Sequence, residues 1–376
     1  MSTMTRGDAV EELLSIVDDI GFEMGSGGFT SHAPMAAEAV VTLGYADQAV
    51  PWIQRYLQEV PHWAKPAATG FRIDPEDEAS WRNALGHHEL LIDWIDMLQE
   101  QMENDSWQSV LAHWWPRLLP GFIGGLTHGL IRTTHAVRCL AAAPAATPSL
   151  KKELARGLAY MAARYAWVPG EPRLTGTLSP REAIAALPEV HPREAIGAGV
   201  KHRTHGFAEA NCDDLAPGFA EAVDALAPPS DFIATLHEIT RETGNRLRSR
   251  AISDPSPIQL IASVHTFTAP AAAAMLLPYL PEDCHAETFA KVWQVTAVLA
   301  GAFGTRGVAI EDASDGRQPL STEELSARAL DRRAAHGIKL TEACIREYNA
   351  TGDPMYLYVA EDVTPHIVVS DATPGG

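Results

Sequence analysis

Residues 124–140, GGLTHGLIRTTHAVRCL, set His128, Arg132 and His135 at steps of four and then three. That spacing stacks side chains along one face of an α-helix. Leu126, Leu130, Thr133, Val137 and Leu140 form the opposite stripe, so the segment is two-faced. Imidazole and guanidinium are the groups that bind metals, move protons and stabilise oxyanions near neutral pH. Either this face lines a site, or it meets water or the core as ordinary polar residues. A solvated face usually carries Glu and Lys, and this one carries neither.

Four more positions could do chemistry. His32 follows Ser31 at an expected helix start, where the positive end of the dipole keeps imidazole neutral and able to coordinate; the bland alternative is a local cap. His265 interrupts LIASVHTFTAPAAAAMLL, a stretch fit for a buried helix, and is either a ligand or a core histidine bonded to a carbonyl. His336 and Lys339 stand three apart in RRAAHGIKLTEAC and face the same way on a helix. With Ala335, Ile338 and Ala343 around it, the lysine is either partly desolvated, which favours the neutral amine, or reaches water along its stem. A neutral lysine amine adds carbon dioxide to give a carbamate, a carboxylate in shape and charge. The His87–His88 pair, His62, and His202 and His205 of HRTH lie in polar or loop contexts and read as exposed.

Helical periodicity dominates the elements that must hold these groups. DAVEELLSIVDDI uses Asp8 as a cap, with Glu11 three later, and buries Val10, Leu13, Leu14 and Val17. The Gly-rich break GFEMGSGGFTSH has no preceding strand and no Lys-Ser/Thr, so it is not a phosphate loop. Ser31 then caps HAPMAAEAVVTLG, with Pro34 in the first turn and Gly44 past the end. Further helices are expected over 47–60, 87–102, 106–119, 149–167, 231–249, 257–277 and 285–303. A capping box from Ser321 to Glu324 opens a last long helix that runs to about Asn349. Strand signals are confined to MYLYVA (355–360) and HIVVS (366–370).

The expected fold is therefore mostly α: one large multi-helical domain over 1–376, with helical halves about 8–167 and 230–350. An irregular segment, 168–230, joins them and holds a short helix at SPREAIAAL. No helical-repeat period is visible, and the GxSxG, HExxH and Rossmann glycine patterns are absent.

Hydrophobic residues at 46% and charged residues at 20% describe an ordinary globular chain. The net charge of −19 repels phosphate backbones and anionic lipid, so neither a nucleic acid nor a membrane is expected as partner. The N-terminal stretch lacks a signal-type apolar run. APAAAAMLLPYLP and VWQVTAVLAGAFG are short or proline-broken and are not read as membrane spans. Four scattered cysteines without a C-x-x-C pair suit the reduced thiols of a cytoplasmic protein.

TSHAPMAAEAV, GGLTHGLIRTTHAVR, VHTFTAP…LLPYL and HGIKLTEAC, in that order, resemble the questin oxidase-like family of polyketide-tailoring oxygenases over roughly residues 10–350. The second motif is the most specific, with Thr127, His128, Gly129, Arg132, His135 and Arg138 all in place. The resemblance implies a mononuclear non-haem iron enzyme whose Fe(II) is held by four histidines and a carboxylated lysine, and which opens anthraquinone-type rings. Carried onto this chain, the implied metal ligands are His32, His128, His265, His336 and Lys339. His128 is taken over His135 because it lies nearer the Gly-Gly helix start. Arg132 and His135 are then the implied catalytic groups, with Arg132 stabilising a phenolate or enolate oxygen.

The implied partners are an aromatic polyketide and dioxygen; a homodimer is left open. Nitrogen donors with one carboxylate suit iron, and also manganese, zinc or nickel. An NADPH-consuming Baeyer–Villiger oxidation, the founding activity of the family, is the alternative to ring-cleaving dioxygenation, although no dinucleotide fold is visible here. A metal-free or zinc-bound hydrolase or isomerase, and a helical scaffold with structural histidines, are the rival readings.

Overall fold

A computed structural model describes residues 4–25, 28–191, 215–253, 257–304 and 316–367, with side chains described from 260 onward in the fourth stretch. His202, His205, Cys212 and the last residues of HIVVS lie outside the described residues. Among the described residues sixteen α-helices and one two-stranded sheet carry the fold, which is mostly α. The helices are α1 (Arg6–Val17), α2 (Ala33–Thr42), α3 (Ala46–Glu59), α4 (Glu78–Ala84), α5 (Leu91–Asn104), α6 (Trp107–Leu118), α7 (His128–Ala142) and α8 (Pro148–Ala163). There follow α9 (Pro180–Ala186), α10 (Phe219–Asp224), α11 (Phe232–Ser253), α12 (Pro257–Leu276), α13 (His285–Phe303), α14 (Thr322–Arg332), α15 (Ala335–Thr351) and α16 (Met355–Val363). Strands β1 (Glu23–Met24) and β2 (Phe29–Thr30) pair antiparallel.

The chain gathers into two compact units that are not contiguous in sequence. One comprises Met1–Lys65, Thr243–Thr268 and Thr305–Gly376; the other comprises Pro66–Glu242 and Ala269–Gly304.

In the first unit α2 packs against α1, α3 and α15. It can do so closely because Ala33, Ala36, Ala37 and Ala39 are all buried and small. The cap of α1 is Thr5, not Asp8: its hydroxyl accepts from the Asp8 N–H at 3.2 Å, and Asp8 occupies the third helical position. The expected long terminal helix is broken. Arg333 turns left-handed at φ 62°, its N–H bonds back to the Ala329 and Leu330 carbonyls, and a new helix, α15, starts at Ala335. MYLYVA is the core of α16, not a strand. Its apolar residues are buried all round, so packing against Leu247, Val264, Phe267 and Leu340 outweighs a β-type composition.

In the second unit α7 and α8 pack at glycines. A Cβ on Gly157 would lie 2.8 Å from the Thr133 Cα, and one on Gly129 would lie 3.1 Å from the Met161 Cα. The segment 168–230 contains the expected short helix at SPREAIAAL as α9, which a Ser179–Glu182 capping box opens, and α10, which periodicity did not reveal. Backbone bonds Leu178 N–H to Ala225 O (3.0 Å) and Ala227 N–H to Leu178 O (2.9 Å) tie the two stretches together.

Pro270 does not interrupt α12. Leu260–Tyr279 is thereby long and apolar enough to cross a membrane, at a mean hydropathy of 1.6, which corrects the reading of that run as broken. Of its most apolar window 89% is buried inside the protein. Cys139, Cys284 and Cys344 form no disulfide.

Candidate metal centre

Within the first unit, three elements carry the sequence-derived candidates to one place. The β1–β2 hairpin leads into His32, which is the N-cap of α2. The neighbouring Ser31 Oγ, rather than the His32 ring, accepts from the Ala33 N–H at 3.3 Å, so the imidazole is not used as a cap. The break at Arg333 makes His336 the second residue of α15, with Lys339 one turn further on. His265 comes from the buried middle of α12.

The ring centroids of His32 and His336 are 4.1 Å apart, and those of His265 and His336 are 5.8 Å apart, both edge-on. A coordinating nitrogen of His32 lies within 4.8 Å of one on His336. His32 is 2% exposed, His265 1%, and His336 and Lys339 5% each. The buried Nε2 atoms of His265 and His336 receive no protein hydrogen bond, although both rings make other contacts.

Burial, then the charge of Lys339, then His265 and His62, hold the His32 imidazole well below its ordinary pKa. Burial, followed by Lys339, takes His265 down to about 3. Both rings are therefore neutral at pH 7, each with a lone pair for a metal. Imidazoles beside a lysine amine fit a borderline transition metal better than calcium or magnesium, which prefer oxygen donors.

His62, read from sequence as an exposed loop residue, is half-buried beside this cluster. Residues 61–63 run along the hairpin, with Gly25 N–H to Pro61 O at 2.9 Å and Trp63 N–H to Glu23 O at 2.8 Å. The His62 Nδ1 lies 2.8 Å from the Val60 carbonyl, which can only accept, so the proton is on Nδ1. Nε2, at 2.9 Å from Ser31 Oγ, then accepts from the serine hydroxyl. No spacing in the sequence signals this bond, because its partners stand 31 residues apart.

His128, Arg132 and His135 belong to the second unit. All three are buried, which rules out the solvated-face reading of their stripe. Leu126 is not on that helix: Gly125, Leu126 and Thr127 have φ of 61°, 53° and 63°, a left-handed run that ends where α7 begins at His128. Gly124 is confined by close approach, since a Cβ there would lie 1.6 Å from the Arg164 carbonyl oxygen. The turn brings the Gly125 carbonyl to 2.7 Å from His128 Nδ1, so Nδ1–H donates and Nε2 keeps its lone pair. Arg132 donates from Nε and Nη2 to the two Glu153 oxygens at 2.7 and 2.9 Å. Arg156 approaches the same carboxylate at 3.6 Å. The Nδ1 of His135 lies 3.2 Å from Arg138 Nη2.

No match to the chain is found among curated proteins. The model of the questin oxidase-like family matches residues 29–309, a span that includes His32, His128 and His265 and stops short of His336 and Lys339. That span is well over half of the chain, and the chain therefore belongs to the questin oxidase-like family, a membership that implies oxidoreductase activity on a small molecule.

Proposed function

We propose that this protein is a metal-dependent oxygenase that oxidises a fused aromatic or quinoid polyketide with dioxygen. Its non-haem iron would be held by His32, His265, His336 and a carboxylated Lys339, with His128 as the fourth imidazole. The observation that carries the reading is the gathering of three imidazoles, two of them held neutral, with one lysine amine in a buried part of the first unit. The place of His128 in the set rests on the family resemblance. Its own contribution is a ring oriented by the Gly125 carbonyl so that Nε2 is the nitrogen it offers.

The carbamate has a physical motive. His32 and His336 sit at helix N-termini, whose dipoles disfavour an added cation, so a dication there requires an anionic donor. The buried acids of α2 and α15 have other partners: Glu38 accepts from Thr42, and Glu342 and Glu347 pair with Arg346. Loss of one proton from the Lys339 ammonium, then addition of carbon dioxide to the neutral amine with loss of a second, converts a positive group into the anion the site needs. Bound iron would supply the one-electron chemistry by which dioxygen reacts with a closed-shell aromatic ring.

Arg132 and His135 are proposed to face the substrate. With two N–H groups committed to Glu153, Arg132 is held in a fixed orientation, from which its charge would stabilise an oxyanion on the substrate. His135, beside Arg138, would exchange a proton with a ring hydroxyl.

The test is anaerobic titration of metal-stripped protein with Fe(II), then oxygen uptake across a panel of fused aromatic quinones. A single iron per chain and uptake that needs both iron and a quinone are expected. Full metal content in both His265→Ala and His336→Ala overturns the ligand set. Reconstitution of the wild type that is indifferent to bicarbonate, together with unchanged metal affinity in Lys339→Ala, overturns the carbamate.

A further inference from the structure

The second unit contains a cavity of about 440 Å³, open on one side, whose walls include Trp81, Tyr165, Arg82, Arg117, Glu76 and Glu78. Leucine and three prolines complete the lining. We propose that it binds a small aryl carboxylate, recognised by Arg117.

Arg117 is held before any ligand arrives. Its guanidinium carbon lies 5.5 Å from the centroid of the Trp81 indole and 5.4 Å from that of Trp114. Its Nη1 donates to the His113 carbonyl at 3.0 Å. Two rings and a carbonyl thus fix the plane of the fork, so little rotamer freedom remains to be lost on binding. Arg82 also lies against Trp81, at 5.1 Å, but its charge is met by Glu78 at 2.6 Å. Among the described residues no carboxylate lies within ion-pair distance of Arg117.

The remaining wall residues choose the ligand class. Glu76 and Glu78 oppose a dianion, so a monoanion suits the cavity better than a phosphate ester. A carboxylate matches the two parallel N–H groups of one guanidinium. The phenol of Tyr165 is pushed up to about 12, chiefly by burial, and therefore stays a hydrogen-bond donor at any ordinary pH. The apolar walls take the ring, and the volume lies within the range of small-molecule sites.

The probe is sodium 2-naphthoate, titrated calorimetrically into the full chain, with 2-naphthyl phosphate and the neutral 2-naphthalenemethanol in parallel. Saturable naphthoate binding is expected, weakened about tenfold or more in Arg117→Ala and less in Arg117→Lys, which keeps the charge but loses the fork. Glu76→Gln, at an exposed position where folding is not at stake, is expected to tighten naphthoate about threefold. The neutral alcohol should bind more weakly and respond to none of these changes. Equal naphthoate affinity in wild type and Arg117→Ala overturns the proposal, as does a preference for the phosphate ester or for the alcohol. The measurement needs no metal, so its result is independent of the oxygenase reading.

Discussion

Glu153→Gln isolates two buried guanidinium groups that now share one carboxylate. The carboxylate accepts two bonds from Arg132, at 2.7 and 2.9 Å, and lies 3.6 Å from Arg156. Side chains of Glu153, Arg132 and Arg156 are 8%, 6% and 3% exposed, so water screens them little. Amide for carboxylate preserves shape and removes the negative charge that the two cations share at Glu153. Removing one partner of a buried pair costs about 3–5 kcal/mol, a large part of a native stability of roughly 5–15 kcal/mol. Urea unfolding followed by circular dichroism should show that loss as a lowered midpoint. Arg132→Gln combined with Glu153→Gln removes one cation together with the anion, and should recover about 1–2 kcal/mol of it. The functional readout is separate: Glu153→Gln should depress turnover nearly as much as Arg132→Gln, because the arginine loses its orientation. A cost below about 1 kcal/mol, or a double variant no better than the single, would refute the view that Glu153 balances and aims Arg132.

Gly157→Ala is expected to destabilise by about 1–3 kcal/mol or more, read as a lowered melting temperature, because its Cβ would meet Thr133 backbone atoms at 2.8 and 2.9 Å. His265 has a folded pKa depressed to about 3 from 6.5, so the unfolded chain binds the extra proton. Metal-free protein should therefore hold this contribution above pH 6.5 and lose about 1.4 kcal/mol per pH unit between 6.5 and 3, a slope that His265→Gln should flatten in a melting-temperature profile. His62→Ala should lower metal affinity about tenfold by releasing Ser31 and the start of α2, with His62→Gln closer to wild type; equal affinities by competition with a chelator would remove that positioning role.

The helices were legible because apolar residues recur at helical spacing, and buried polar residues inside them, such as His265 and the His128–Arg132–His135 stripe, stand out against Ala and Leu. The gathering of His32, His265, His336 and Lys339 was not readable from spacing, since it depends on where α2, α12 and α15 pack; the four ordered motifs supplied it by resemblance. Local backbone choices were harder still. The left-handed residue at Arg333 occurs at a non-glycine within a sequence of good helix formers, and only the structure shows the chain ending α14 there. Leu126 and Thr127 hid in the same way, being side chains that rarely adopt positive φ. MYLYVA misled because β-branched and aromatic residues serve a wholly buried helix as well as a strand. His62 gave no sign because its partner is remote in sequence.

His32 and His336 occupy the opening turns of their helices, whereas His265 sits in the middle of one. Helix ends unravel and reform far more often than helix centres. The cluster thus joins one residue at a helix centre to two at helix starts, and local opening of either start would swing an imidazole aside while the core stays assembled. On the proposed function, the metal would then be taken up or surrendered by a finished protein, without the chain having to unfold to admit it.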